Sequence, residues 1–309
     1  MGKRKGLPIS GWLVIDKPLG LTSTQVVGRV RYLTKAAKVG HAGTLDPLAT
    51  GVLPIALGEA TKTVSYAMDG RKTYRFTVRW GATTTTDDSE GDIVRASDRR
   101  PSPMEIEAAL PHFIGTIAQT PPRFSAIKID GERAYDLARA GEDVALAARP
   151  VHIYALRIIE QPDADHTSFE AEVGKGFYIR ALARDLAQNL GCEGHIAALC
   201  RLSVGKFALS AAISLEKLEE AVQDGRLDEH LLPLATALDD IPALAVSDAE
   251  ASRLRLGQSL TWFSRADADR LKPMENAGEP IGLALTGNIP VALVEVEGAE
   301  IRPVRVLNL

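Results

Sequence analysis

Along the chain, apolar residues first gather in a short run, WLVI at 12–15, which is broken by Lys17, Pro18 and Gly20. That run predicts a strand ending in a turn. Thr22 and Gln25 then stand at capping-box spacing, and Val26, Val27, Val30 and Leu33 recur at helical intervals. They predict an amphipathic helix that ends before Gly40 and turns Arg29, Arg31 and Lys35 outward. In KTYRFTVRWG, Tyr74, Phe76, Val78 and Trp80 alternate with Arg75, Thr77 and Arg79, the period of a half-buried strand. TTTTDDSEGDIV reads as a polar connection, and a short helix is predicted from near Pro103. Residues 117–141 combine a Pro-Pro break, a short strand and a helix around Tyr135. VHIYALRIIEQ and SFEAEVG predict a strand pair. Ile179, Leu182, Leu186 and Leu190 then predict a helix stopped by Gly191.

Strands and helices alternate irregularly, without steady βαβ units. The pattern predicts an α+β fold: a mixed, mostly antiparallel sheet with helices against it. Around residues 232–245 it changes, and GLALTG, IPVALVEV and IRPVRVLNL follow as short β segments, the last two joined by EGAE as a hairpin. The division expected is a domain over 1–240 and a small β domain over 241–309.

Composition adds little to this, being 45% hydrophobic and 25% charged over 309 residues, as in ordinary globular proteins. No apolar run has the length of a membrane span and the N-terminus lacks a secretory signal, so a cytoplasmic protein is expected. Cys192 and Cys200 flank His195, too few ligands for a structural zinc site, and no metal is expected. Charge changes the picture more. The net value is −4, yet residues 1–80 hold thirteen Lys/Arg against four Asp/Glu, a net +9 that leaves −13 for the rest. The basic third is either a solvated cationic face or a surface that tracks phosphates.

GHAGTLDPLATGVLP, residues 40–54, sets one carboxylate, Asp46, among three glycines and two prolines. Glycines open backbone conformations closed to other residues, and Pro47 pushes Asp46 toward extended geometry. Asp46 is therefore either a carboxylate presented by a constrained loop or a turn residue bonding its own backbone. GVLPIALGEATKT fails the P-loop spacing, and neither G-x-S-x-G nor H-E-x-x-H occurs.

GHAGTLDPLATGVLPIALGEATK resembles the signature of the TruB family of pseudouridine synthases, with Gly40, His41, Gly43, Leu45, Asp46, Pro47, Ala49 and Gly51 in order and without gaps. IDKPLGLTS is similar to the family's N-terminal element with its Lys17-Pro18 pair. KTYRF places Tyr74, and GKGFYIRALARDLA places Tyr178 and Arg180, on family elements. FSAIKIDGERAYDLARAG and CRLSVGKF put Lys128, Tyr135, Leu199 and Arg201 at matching positions. The likeness covers about residues 11–210 closely and the C-terminus weakly. One departure is in the acidic turn TTTTDDSEG, where Asp88 and Gly91 align but Thr85 stands at the family's first aspartate.

The resemblance implies a transfer RNA pseudouridine synthase acting at the T-loop uridine, position 55, without metal or cofactor, since the isomerisation neither oxidises nor adds anything. It implies catalytic roles for Asp46, Tyr74 and Arg180, the arginine pairing with the carboxylate in bidentate fashion. It implies substrate-binding roles for His41, Tyr178, Leu199, Lys17, Arg201 and Lys128, with His41 stacking on or replacing a displaced base. It also implies a monomer and a barrel-like C-terminal domain of the PUA type that touches the acceptor end of the RNA. Two other readings stand beside this: a guide-RNA-dependent synthase subunit, and a non-catalytic RNA-binding or RNA-folding factor. Whether Asp46 attacks C1′, attacks C6 or removes a sugar proton is left open.

Overall fold

The computed structural model describes residues 6–125, 127–129, 132–133 and 146–309. The helix expected around Tyr135 lies outside them. Nine strands form the main sheet: β1 (Gly11–Lys17), β2 (Val39–His41), β3 (Ala49–Leu57), β4 (Lys72–Trp80), β7 (Gly115–Gln119), β10 (Arg149–Glu160), β11 (His166–Val173), β12 (Gly194–Val204) and β13 (Phe207–Ala208). Two small hairpins, β5 (Ala82–Thr84) with β6 (Ile93–Ala96) and β8 (Lys128–Ile129) with β9 (Glu132–Arg133), stand apart from it. The order is β1-β3-β12-β4-β11-β10-β7, with β2 on β3 and β13 on β12. Every described pairing in this sheet is antiparallel except that of β3 with β12.

β4 shows why the sequence folds this way. Its alternation buries Lys72, Tyr74, Phe76, Val78 and Trp80 on one face. Phe76 stacks on Phe169 of β11 at 5.3 Å between centroids, and Trp80 meets Phe169 edge-on while its indole N–H donates to Thr167 Oγ1 at 2.9 Å. Helix α1 (Ser23–Thr34) starts with the predicted capping box at Thr22 and Gln25 and buries Val26, Val30 and Leu33. It is followed by the short helices α2 (Val64–Asp69) and α3 (Pro103–Ala109), by α4 (Ile179–Asn189), which buries Leu182 and Leu186 in the same core, and by α5 (Leu215–Gln223).

The C-terminal residues form a second sheet of five strands, β14 (Ala243–Ala245), β15 (Leu260–Thr261), β16 (Ile281–Thr286), β17 (Ile289–Glu297) and β18 (Glu300–Val306), in the order β14-β16-β17-β18-β15. The expected hairpin joins β17 to β18. Two helices that the β pattern did not anticipate, α6 (Asp248–Arg255) and α7 (Arg265–Ala277), lie between the strands, each opened by a capping box, Ser247 with Glu250 and Ser264 with Asp267. This unit has its own core around Leu244, Leu254, Trp262 and Ile301. It is also joined to the main sheet, because Leu283, Leu293 and Leu307 pack with Trp12, Val52 and Phe207. Lys62 Nζ donates to Val306 O and the Asn308 amide to Glu59 Oε2, both at 2.8 Å.

Glu250 gives this unit a measurable acid sensitivity. Partial burial works against its ionisation but is outweighed by hydrogen bonds from Arg270, Ser247 and Trp262, which hold the carboxyl at about 2, below its ordinary 4.5. A depressed carboxyl contributes stability that is present above about pH 4.5 and is lost as pH falls toward 2. Glu250→Gln is therefore expected to destabilise the protein at pH 7 and to flatten this acid limb, read by tryptophan fluorescence in urea at each pH. An unchanged limb would contradict the assignment.

Candidate active site

Asp46 lies in the turn between β2 and β3, and hydrogen bonds fix the loop on both sides of it. Before it, the Ser23 hydroxyl at the start of α1 donates to Leu45 O at 3.0 Å and accepts from Leu45 N at 2.9 Å. After it, Pro47 O accepts from Gly20 N at 2.8 Å and from Lys17 Nζ at 3.2 Å. Below it, Arg201 Nη2 donates to Gly43 O at 3.0 Å and Nε to Val52 O at 2.8 Å. The loop that sequence reading marked as constrained is held by four separate elements.

Gly51 is where this packing is tightest. Its φ is +95°, and a Cβ there would stand 2.3 Å from Arg201 O. Gly51→Ala is expected to cost at least about 2 kcal/mol, seen as a lower urea midpoint, because both the backbone and the β3–β12 contact must shift. A midpoint like that of the parent protein would show that the strands can part without loss.

Arg180, in the first turn of α4, is 4% exposed and reaches across to this loop. Nε donates to Asp46 Oδ2 at 2.9 Å and lies 3.6 Å from Asp88 Oδ2, while Nη1 donates to Thr86 O at 2.8 Å and Nη2 to Phe124 O at 2.9 Å. The expected bidentate pair is absent, since Nη1 and Nη2 are each directed at a backbone carbonyl and Nε alone meets Asp46. The guanidinium thus has one fixed pose, with a single bond to Asp46, whose side chain keeps 35% of its surface open. Tyr178 caps the helix, and its own backbone N–H and C=O are both taken by the buried Gln119 amide, at 3.0 and 3.1 Å.

These groups line a cavity of about 260 Å³. Tyr74, Leu199, Phe177 and Tyr178 provide its apolar and aromatic walls, and Asp46, Arg180 and Arg201 charged groups. Lys72, also in the lining, donates to Met68 O and Gly70 O, and burial lowers its pKa to about 8. The arrangement offers a flat ring an aromatic surface beside a carboxylate held by a cation.

The other sequence-predicted residues take different positions. Lys17 is fully buried, and its three protons go to the carbonyls of Pro18, Leu21 and Pro47. Burial lowers its pKa to about 8. Arg201 is 1% exposed with its donors on loop carbonyls. All three Lys17 protons are thus taken, whereas Arg201 gives Nε, Nη1 and Nη2 one loop carbonyl each, keeps further N–H groups and lines the cavity, so both residues brace the Asp46 loop. His41 is half-buried outside the cavity lining; burial, then the charge of Arg201, lowers its pKa, so its ring is neutral near pH 7. Lys128 lies on β8, opposite Arg133 in the register, and its side chain is outside the described structure.

Two positions were missed in the sequence, Ser23 and Gln119, and Asp88 was aligned with the family's acidic turn without a role. Asp88 is 2% exposed and shares Arg180 with Asp46, so the acidic turn borders the site. The divergent Thr85 is exposed, away from that contact. Among the described residues no cluster of His, Cys, Asp and Glu suits a metal ion, and no helix is long and apolar enough to cross a membrane.

The family model described as TruB family pseudouridylate synthase (N terminal domain) matches residues 31–179, and that of the tRNA pseudouridylate synthase B C-terminal domain matches 180–239. The protein called tRNA pseudouridine synthase B in Caulobacter vibrioides is 53% identical over 99% of both chains. Its namesake in Agrobacterium fabrum is 50% identical over 99% of this chain and 97% of its own. In fold, the chain is similar to one in the structure of an H/ACA RNP bound to a substrate RNA containing 2′-deoxyuridine, with a TM-score of 0.72 at 21% identity over 97% of this chain and 85% of that one. A Cbf5-Nop10-Gar1 complex gives a TM-score of 0.72 at 23% identity over 96% and 85%. With near full-length identity of about one residue in two, the chain belongs to the TruB family of pseudouridylate synthases.

Proposed function

We propose that this pseudouridine synthase acts alone on transfer RNA and isomerises the T-loop uridine at position 55. The observation that carries the reading is the Asp46 carboxylate, held by one bond from Arg180 at the edge of an aromatic-walled cavity. In the proposed reaction the N1–C1′ bond breaks, the base turns, C5 bonds to C1′, the C5 hydrogen leaves as a proton, and N1 takes up a proton in its place. Asp46 acts at C1′, at C6 or on a sugar proton, as nucleophile or base. Arg180 orients its carboxylate through the single Nε bond, and Tyr74 supplies a ring face and a phenol for proton transfer. Tyr178 and Leu199 frame the base, and neutral His41 stacks against the loop that the extruded nucleotide leaves. Lys128 contacts the RNA from the segment following the Phe124 carbonyl.

The +9 charge of residues 1–80 supports an RNA partner, and the names of relatives that span this whole chain favour tRNA. The same reading divides the chain into a catalytic domain over 1–240 and a PUA-like domain over 241–309 that meets the acceptor end, in a cytoplasmic monomer. The test is an unmodified tRNA transcript incubated with the purified protein alone and mapped for pseudouridine. Modification at position 55 supports the reading. Modification only when a guide RNA is added would replace it with the guide-dependent one, and RNA binding without any product would leave a non-catalytic factor.

A further inference from the structure

We propose that Ser125 is a substrate-recognition residue whose hydroxyl hydrogen-bonds the polar edge of the uracil; this rests on the cavity being a uridine site. Ser125 is 3% exposed and lines the same cavity as Asp46, Tyr74 and Leu199. Its Oγ is buried without a hydrogen-bond partner among the described residues. A buried hydroxyl left unpaired costs the folded state free energy, so such a group in the wall of a cavity points to a partner that arrives later. The other two buried unpaired side-chain atoms, His41 Nδ1 and Arg149 Nε, belong to residues outside the cavity lining.

The position of Ser125 is set by the catalytic apparatus itself. Phe124 O, the carbonyl of the peptide leading into Ser125, accepts from Arg180 Nη2 at 2.9 Å, and the Nε of the same guanidinium donates to Asp46 Oδ2 at 2.9 Å. One planar cation thus fixes the reacting carboxylate and the serine's peptide with respect to each other. The walls formed by Tyr74, Leu199 and Phe177 can cover the faces of a uracil ring but leave its polar edge unserved. O2 and O4 are acceptors and N3–H a donor, and a hydroxyl can pair with any of them.

The proposal makes stability and activity move in opposite directions in one variant. Ser125→Ala removes the unpaired oxygen, so its urea midpoint is expected to equal or exceed that of the parent protein, while kcat/KM for tritium release from C5 falls about tenfold. Ser125→Cys, a near-isosteric weak donor, is expected to lie between them. RNAs with 2-thiouridine, 4-thiouridine or N3-methyluridine at the target then compete with the normal transcript for each protein. The analogue whose penalty disappears in Ser125→Ala names the contacted atom. Turnover and competition like those of the parent protein would overturn the proposal. So would a joint loss of stability and activity, which is the mark of a structural serine. If the parent protein releases no tritium at all, the uridine reading fails first, before any variant is compared.

Discussion

Asp46→Asn is expected to abolish turnover, by about 10⁴-fold or more, while leaving RNA binding intact. Asparagine has the volume of aspartate and can still accept from Arg180 Nε, so the loop gripped by Ser23, Lys17, Gly20 and Arg201 keeps its shape. What disappears is the negative charge, and with it the capacity to attack carbon or take a proton. Tritium release from C5 under single-turnover conditions measures the first effect, and filter binding of the same transcript measures the second. Turnover within tenfold of the parent protein would remove Asp46 from the chemistry. Equal loss of binding would mean that the charge holds the loop together rather than reacting.

Arg180→Met should be nearly as damaging and, unlike the first variant, should also weaken the fold. The guanidinium serves two carboxylates and two backbone carbonyls from a position 4% exposed. Methionine can fill part of the space but leaves Asp88 buried without its cation and two carbonyls without donors. Breaking a buried pair from one side costs about 3–5 kcal/mol, and loss of the charge that orients Asp46 is worth about 10²–10³ in rate. Urea unfolding with tritium release gives both numbers. Arg180→Lys keeps the charge without the planar fork, so it should recover part of the stability and little of the rate. A methionine variant as stable as its parent would show that the carboxylates are solvated in a way the geometry does not suggest.

Local signals were legible in the sequence, and distant ones were legible only through the family likeness. The capping box at Thr22, the alternation of β4 and the stop at Gly191 each depend on neighbours within a few residues, and each formed as expected. The β pattern after residue 243 missed α6 and α7. Their Ser-x-x-Glu and Ser-x-x-Asp boxes are present in the chain, but the flanking helices are too polar to show a clear apolar stripe. Arg180 was identified by resemblance alone, since nothing near it in the chain says that it is buried. The burial of Lys17 and Arg201 was illegible for a related reason: only the folded chain shows the carbonyls that surround them. Ser23 and Gln119 had no local signal, because each acts on a backbone group far away in the chain, and the alignment of Asp88 did not show that it meets Arg180.

The lone parallel pairing of the main sheet governs when this protein becomes an enzyme during its synthesis. β12 lies between β3 and β4, and Leu199 and Thr50, joined there by a hydrogen bond, are 149 residues apart in the chain. Contacts so distant in sequence close late, and a chain leaving the ribosome presents its N-terminal part first. A nascent chain that ends with β11 contains Asp46 and Tyr74 but none of Arg180, Leu199 or Arg201. Its strands fall into two separate sets, β1–β3 on one side and β4 with its neighbours on the other, until β12 enters between them. The cavity beside Asp46 is therefore absent from every shorter chain, and it arises together with the completion of the sheet.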